Sequence, residues 1–321
     1  MTDATNSTDN SMMKAVLVHA YGGPEALTLE DIPRPVPKAN EVLVRVSAAG
    51  VNPVDWKLRE GHLQQIMPVQ FPFTPGCDVA GIVESVGEGV GDFAVGDGVY
   101  GAVPPTTGGG YAESVIVPSA TLADKPKNLS FVEAASVPSV AITAWQSLFE
   151  SGGLTAGQTV LIHGGSGGVG MFAVQLAHQK GARVIATCSA ENIEFVESLG
   201  ADEVLDYKAV RFEEKVSGVD VVLDTQGGDT QERSWQTLKP GGILVSVVSP
   251  PSEEKAAEAN AKGVMVQVAA SKALLTEIAE MLDAGTIKTE IAQTFSLSEA
   301  RQAQELSQIG HTRGKIVLQI A

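Results

Sequence analysis

The densest chemical information in the chain lies at 158–181, QTVLIHGGSGGVGMFAVQLAHQKG. An apolar run, Val160, Leu161 and Ile162, leads into His163 and then into glycines at 164, 165, 167, 168 and 170. Phe172, Ala173, Leu176 and Ala177 follow on neighbouring helical turns. Strand, glycine turn and helix in that order make a corner that binds phosphate. Gly164 permits the tight turn, Gly167 lets backbone approach a pyrophosphate, and Gly170 allows the helix to pack closely on the strand. Gly165, Ser166, Gly168 and Val169 complete the loop. The helix start then offers free N–H groups and the positive end of its dipole to the anion. Glycine-rich turns are common; the flanking strand and helix are what make this one a dinucleotide site.

A chain of 321 residues, 44% hydrophobic, has enough apolar material for two domains. Its net charge of −16 excludes a nucleic-acid partner, because phosphate neutralisation needs clustered Lys and Arg. Excess carboxylate also keeps a soluble protein dispersed. The two cysteines, Cys77 and Cys188, are too far apart for a local clip and point to a reducing compartment, the cytoplasm. The opening MTDATNSTDNSMM lacks an apolar signal region, so 1–13 is expected to be a disordered tail. No run reaches the roughly 18 apolar residues that a membrane span requires.

The elements that must position the turn follow from the texture of the chain. Before residue 125, short strand candidates at 14–20, 27–32, 41–49, 79–86, 99–103 and 114–117 are punctuated by Gly and Pro. That pattern predicts a compact β domain. Residues 130–150 read as a helix, with Ser130 as N-cap and Glu133 completing a capping box. From 158 onward, strands at 160–163, 183–188, 203–207, 220–224, 243–248 and 264–268 alternate with helices. Six alternating strands predict a doubly wound α/β domain with a parallel sheet. Past 271 come a helix to 284, another at 298–309 and a closing strand at 315–320.

Further motifs then give the chain a family likeness. AGVNPVDWKLREG at 49–61, PGCDVAGIVESVG at 75–87, GGGYAESVIVP at 108–118 and AITAWQSL at 141–148 precede the glycine turn. SLGADEVLDY at 198–207 and GHTRGKIVL at 310–318 follow it. In this order the motifs resemble the zinc-independent quinone oxidoreductases of the medium-chain dehydrogenase/reductase superfamily. The resemblance implies a GroES-like β domain at 14–129, a Rossmann domain at 130–270 and a segment at 271–321 that returns to the first domain. It also implies NADPH in the cleft and a homodimer.

On that template the second Rossmann strand ends at Cys188 and Ser189, where an NAD enzyme usually carries an acid for the ribose 2′-hydroxyl. The missing acid favours NADPH. Ser189 would contact the 2′-phosphate and Tyr207 would lie over the adenosine side. Glu191 departs from the family, since many relatives place Lys or Arg there. The other reading of Glu191 is an exposed acid suited to a first helical turn.

The zinc branch of the superfamily needs a Cys after the third strand, a Gly-His-Glu segment and a four-cysteine lobe. Here the first place falls within Val51–Asn52–Pro53, the second has become Gly76–Cys77–Asp78, and the lobe is missing. No metal is therefore expected, and Cys77 reads as a small buried hydrophobe.

Hydride transfer from NADPH to a quinone or conjugated enone remains, since such acceptors stabilise their own anion. By analogy, Asn52 would position ring or substrate by its amide, and Lys57 would donate to the developing oxygen anion. Asp55 either orients Lys57 or faces solvent; the competing reading is a surface ion pair on a short helix. Thr143 resembles a family position near the nicotinamide or phosphates, against a helical Thr bonding its own backbone. Gln226, Val247, Val248 and Ser249 follow strands whose carboxyl ends collect ligands. Val268, within 267–269, would lie at the carboxamide end. Arg313 and Lys315 either reach the cofactor or cap the helix ending at Gly310. Tyr111 reads as packing. The rival functions are an enoyl-thioester reductase on the same scaffold and a non-catalytic NADPH-binding sensor.

Overall fold

A computed structural model describes residues 12–320. The first part carries β1 (Met12–Leu17), β2 (Thr28–Pro33), β3 (Glu41–Val51), helix α1 (Pro53–Arg59), β4 (Asp78–Val86), β5 (Gly98–Ala102), β6 (Ser114–Pro118) and β7 (Leu122–Asp124). The tail expected at 1–13 lies outside the described residues up to 11, but Met12 and Met13 already belong to β1. Met13 is buried with Ala15 and Ala112, and that apolar contact is what recruits it into the strand.

The predicted helix at 130–150 is three pieces: α2 (Phe131–Ala135), α3 (Pro138–Trp145) and a π-turn at Gln146–Ser151. Pro138 has no N–H to continue α2 and instead occupies the first turn of a new helix. The capping box forms as read, with the Glu133 N–H donating to Ser130 Oγ at 3.2 Å and the Ser130 N–H to the Glu133 carboxylate at 2.8 Å.

β8 (Thr159–Ile162), α4 (Gly168–Gln179), β9 (Arg183–Cys188), α5 (Ile193–Ser198), β10 (Glu203–Asp206), β11 (Val219–Asp224), α6 (Gly228–Ser234), β12 (Leu238–Ser246), α7 (Glu253–Glu258) and β13 (Lys262–Met265) build a six-stranded parallel sheet. Its order is β10-β9-β8-β11-β12-β13. The chain starts in the middle and winds outward both ways, so the carboxyl ends of β8 and β11 flank a crevice. The α/β reading holds. β13 ends earlier than expected, leaving Val268 beyond the strand and half exposed.

α8 (Lys272–Asp283), β14 (Ile291–Ser296), α9 (Ala300–Ile309) and β15 (Lys315–Gln319) close the chain. β15 pairs antiparallel with β3, and β14 extends that sheet to the order β14-β15-β3-β4-β5-β7, with β6 on β3. One apolar cluster runs from Ala48 and Tyr100 through α3 and α4 to Val317. The two sheets therefore share a core, and this holds the end of β3 against the glycine turn.

Candidate functional site

The glycine turn has the geometry its sequence demands. Gly164 sits at φ +67°, and a Cβ there would lie 2.6 Å from Gln226 Nε2 and 2.8 Å from Thr225 Oγ1. A Cβ on Gly170 would lie 2.8 Å from Gly164 C and from Gly165 Cα. Gly167 caps α4 with no side-chain acceptor, so the first N–H groups of the helix have no partner within it. A Cβ at Gly167 would meet nothing nearer than 3.4 Å. An uncapped, uncrowded helix start is a cradle for an anion, and the pyrophosphate of a dinucleotide fits it.

His163 is buried under this turn, its two ring nitrogens on Thr187 Oγ1 at 3.1 Å and Ser234 Oγ at 2.9 Å. Burial pulls its pKa down to about 4, so it is a neutral structural group. Asp224, also buried, accepts from Gln226 N, Gly227 N, Gln231 Nε2 and Ser246 Oγ, which fixes the β11 and β12 ends. Gln226 turns its amide to Thr225 Oγ1, and Val247 donates its N–H to Asp224 O. Val248 and Ser249 donate theirs to Ser246 Oγ.

At the carboxyl end of β9, Ser189 Oγ donates to Glu191 Oε1 at 2.9 Å and accepts from Asn192 Nδ2 at 3.0 Å. Tyr207 stands exposed beside it, 3.4 Å from His311 Nδ1. Tyr207 N donates to Cys188 O at 3.1 Å, which brings it next to Ser189, and the exposed Glu191 carboxylate occupies the Ser189 hydroxyl.

At the opposite end, Asn52 precedes α1. Its side-chain amide is engaged at both ends: Oδ1 accepts from Lys315 Nζ at 2.6 Å, and Nδ2 donates to Asp78 Oδ2 at 2.9 Å. Asp78 Oδ1 in turn accepts from Ser139 N at 2.9 Å and from Ser139 Oγ. Burial pushes the Asp78 pKa up and pulls that of Lys315 down, and each charge offsets part of the other's cost. Cys77 is a buried free thiol whose pKa burial raises, so it is inert as a nucleophile.

Asp55 neither orients Lys57 nor faces solvent. It is 2% exposed and accepts from Asn52 N at 2.8 Å and Tyr111 OH at 2.9 Å. Burial lifts its pKa to about 6, against those two hydrogen bonds. Tyr111 is thus packing that also carries a hydrogen bond. Lys57 is half-buried, its Nζ 5.7 Å from the Trp56 ring centroid, with no ion pair among the described residues. Burial alone lowers its pKa.

Thr143 follows the backbone reading, donating to Ser139 O at 2.6 Å. Arg313 pairs with Glu290 at 3.2 Å and stacks on Phe195. Lys315 does not cap α9; it runs inward, and its Nζ also donates to Val51 O at 2.8 Å. Gly314 N donates to Ser166 O at 2.9 Å, docking the terminal motif on the glycine turn. Sequence reasoning missed Asp78, Ser139 and Gln146. Gln146 clasps the Ala269 backbone, donating to its O at 3.1 Å and accepting its N–H at 3.0 Å, and so fixes the segment that contains Val268. A π-turn at Gln146 was the one local signal, and it is invisible in sequence.

Among the described residues no group of His, Cys, Asp or Glu is arranged to hold a metal ion, and no helix is long and apolar enough to cross a membrane.

Residues 38–127 match the family model for the alcohol dehydrogenase GroES-like domain, and 199–318 match that for zinc-binding dehydrogenase. The chain is 36% identical to the mitochondrial NAD(P)H oxidoreductase RTN4IP1 of Homo sapiens, over 99% of this chain and 91% of that protein. It is 35% identical to a quinone oxidoreductase of Mus musculus, over 96% and 97%. The solved quinone oxidoreductase of Coxiella burnetii superposes with a TM-score of 0.90 at 34% identity, covering 97% of this chain and all of that one. The chain belongs to the quinone oxidoreductase family of the medium-chain dehydrogenase/reductase superfamily, and it is an oxidoreductase that binds NAD(P)H.

Proposed function

We propose that the protein reduces a small quinone or α,β-unsaturated carbonyl compound with NADPH. One observation carries the reading: the half-buried Lys57, without a carboxylate partner among the described residues, stands on α1 directly after the Asn52 turn that is joined to the glycine cradle. The bound cofactor supplies a hydride. The chain supplies the rest: Gly167 and the start of α4 hold the pyrophosphate, and Lys57 presents its ammonium to the oxygen that gains negative charge. Its lowered pKa makes it a better proton donor than an exposed lysine.

NADPH is preferred in this reading because β9 ends without an acid. A 2′-phosphate must displace Glu191 from Ser189 to use that hydroxyl. β13 leaves an open strand edge on the six-stranded sheet, which suits pairing with a second copy. Two buried free thiols suit a reducing compartment, the cytoplasm in this reading. An enoyl-thioester reductase would want a tyrosine donor; α1 has none, and Tyr111 is spent on Asp55.

Stopped-flow oxidation of bound NADPH by a panel of quinones and enones, reported as kcat/KM, tests the proposal. Acceleration by at least one acceptor class is expected. A cofactor that binds but is oxidised by none of them would leave a sensor and sink the enzyme reading.

A further inference from the structure

A buried charge joins the two halves of the site. Lys315 is 4% exposed, and its stem runs beside the cofactor cradle: a Cβ on Gly168 would lie 2.9 Å from Lys315 Cδ. The neighbouring Gly314 is bonded to Ser166 in the glycine turn. The Lys315 ammonium reaches the end of the paired strand β3, donating to Val51 O and Asn52 Oδ1. An ammonium has only donors, and the Asp78 Oδ2 opposite it accepts from the amide nitrogen. Placed on either side of Asn52, they leave its amide one orientation, oxygen to Lys315 and nitrogen to Asp78. Asn52 N–H then holds Asp55, inside the helix that carries Lys57.

We infer that Lys315 is a positioning residue that transmits occupancy of the glycine turn to α1: glycine turn, Lys315 stem, Asn52 amide, α1, Lys57. Tightening the turn around a pyrophosphate restrains Gly168, hence Lys315, hence the Asn52 turn. The inference needs only that NAD(P)H binds; its kinetic arm rests on the proposed acceptor chemistry.

Hydrogen exchange with and without NADPH reads the coupling without turnover. In the wild-type protein, NADPH should slow exchange about tenfold both at 164–171 and at 53–60. Lys315→Met keeps an unbranched stem against Gly168 and removes the donors. Protection at 164–171 should persist, NADPH affinity should stay within about threefold, and protection at 53–60 should vanish. Equal protection of 53–60 in the variant, or none there in the wild type, overturns the inference.

Charge balance is separated by Lys315→Met/Asp78→Asn, which also removes the carboxylate that Lys315 faces across Asn52. Thermal stability lost in the single variant should return in the double one, while protection at 53–60 and quinone kcat should not. Recovery of both would reduce Lys315 to a counter-ion and refute the positioning role. An acceptor panel that fails with wild-type protein removes the enzyme reading alone, because the exchange experiment still decides on Lys315.

Discussion

Gly170→Ala puts the nucleotide cradle to a direct steric test. The added methyl would lie 2.8 Å from Gly164 C and Gly165 Cα and would overlap the Gly164 carbonyl oxygen. Carbon atoms settle at about 3.5–4.0 Å, so the turn must recede from α4 by about 1 Å. No flexible side chain is available to yield, because every atom met is backbone. Overpacking of this kind costs about 1–3 kcal/mol, a fall in Tm of about 2–8 °C for a chain this long. Binding suffers more than folding. A donor 1 Å out of place no longer makes a hydrogen bond to phosphate, and one charge-assisted bond is worth about 1.5–3 kcal/mol. The Kd for NADPH, read from the fluorescence of the bound dihydronicotinamide, should rise about 10- to 100-fold. Gly153→Ala is the control, since that glycine, at φ +60°, carries backbone strain on substitution but has nothing within 4 Å of the added carbon. It should cost some stability and leave Kd unchanged. A Gly170→Ala protein that binds NADPH within about threefold of wild type would refute the placement of pyrophosphate on this turn.

The remaining predictions address the two ends of the cofactor and the buried titratable groups. Glu191→Lys should tighten NADPH about tenfold relative to NADH in paired titrations, because a cation replaces the carboxylate now bonded to Ser189; an unchanged ratio would place the 2′-phosphate elsewhere. Lys57→Ala should lower kcat/KM for quinone about 100-fold with NADPH Kd intact, and an unaltered kcat/KM removes Lys57 from the chemistry. His163 and Asp55 oppose each other in pH dependence. His163, held down at about 4 against 6.5, binds fewer protons folded than unfolded, so its contribution is present above pH 6.5 and is lost as pH falls to 4. Asp55, raised to about 6 from 3.8, binds more protons folded, so its contribution is present below pH 3.8 and is lost as pH rises to 6. At about 1.4 kcal/mol per unit each is worth about 3 kcal/mol, and the slopes largely cancel between pH 4 and 6. Asp55→Asn should therefore make Tm rise more steeply with pH across that window; a slope no steeper than wild type would show that Asp55 titrates normally.

What was legible in the sequence was what glycine and periodicity dictate locally. The turn at 164–170 could be read because Gly164, at positive φ, and Gly170, against the backbone of Gly164 and Gly165, answer constraints within a few residues, and the same holds for the Ser130–Glu133 cap. Short strands escaped. Leu122–Asp124 is three residues long, too short to show a period, and Ile291–Ser296, a mostly exposed edge, presents little buried face to alternate. The break at Pro138 was readable in principle, and apolar residues on both sides masked it. The site shows the deeper limit. Lys57 could be placed on the loop, but Asp55 could not be assigned correctly as its partner or as a solvated group, because seven residues of α1 do not say which side chain turns inward; of the two, Asp55 is the one that is buried. Lys315 and Asn52 stand 263 residues apart, and only the pairing of β15 with β3 brings them together. Once that pairing is made, the lysine has no route to solvent, and the polar atoms of Val51 and Asn52 within its reach are acceptors that an ammonium satisfies. The link between the two ends of the site is thus a consequence of sheet register. A one-residue slip of β15 would turn Lys315 to the opposite face and sever it without altering either local motif.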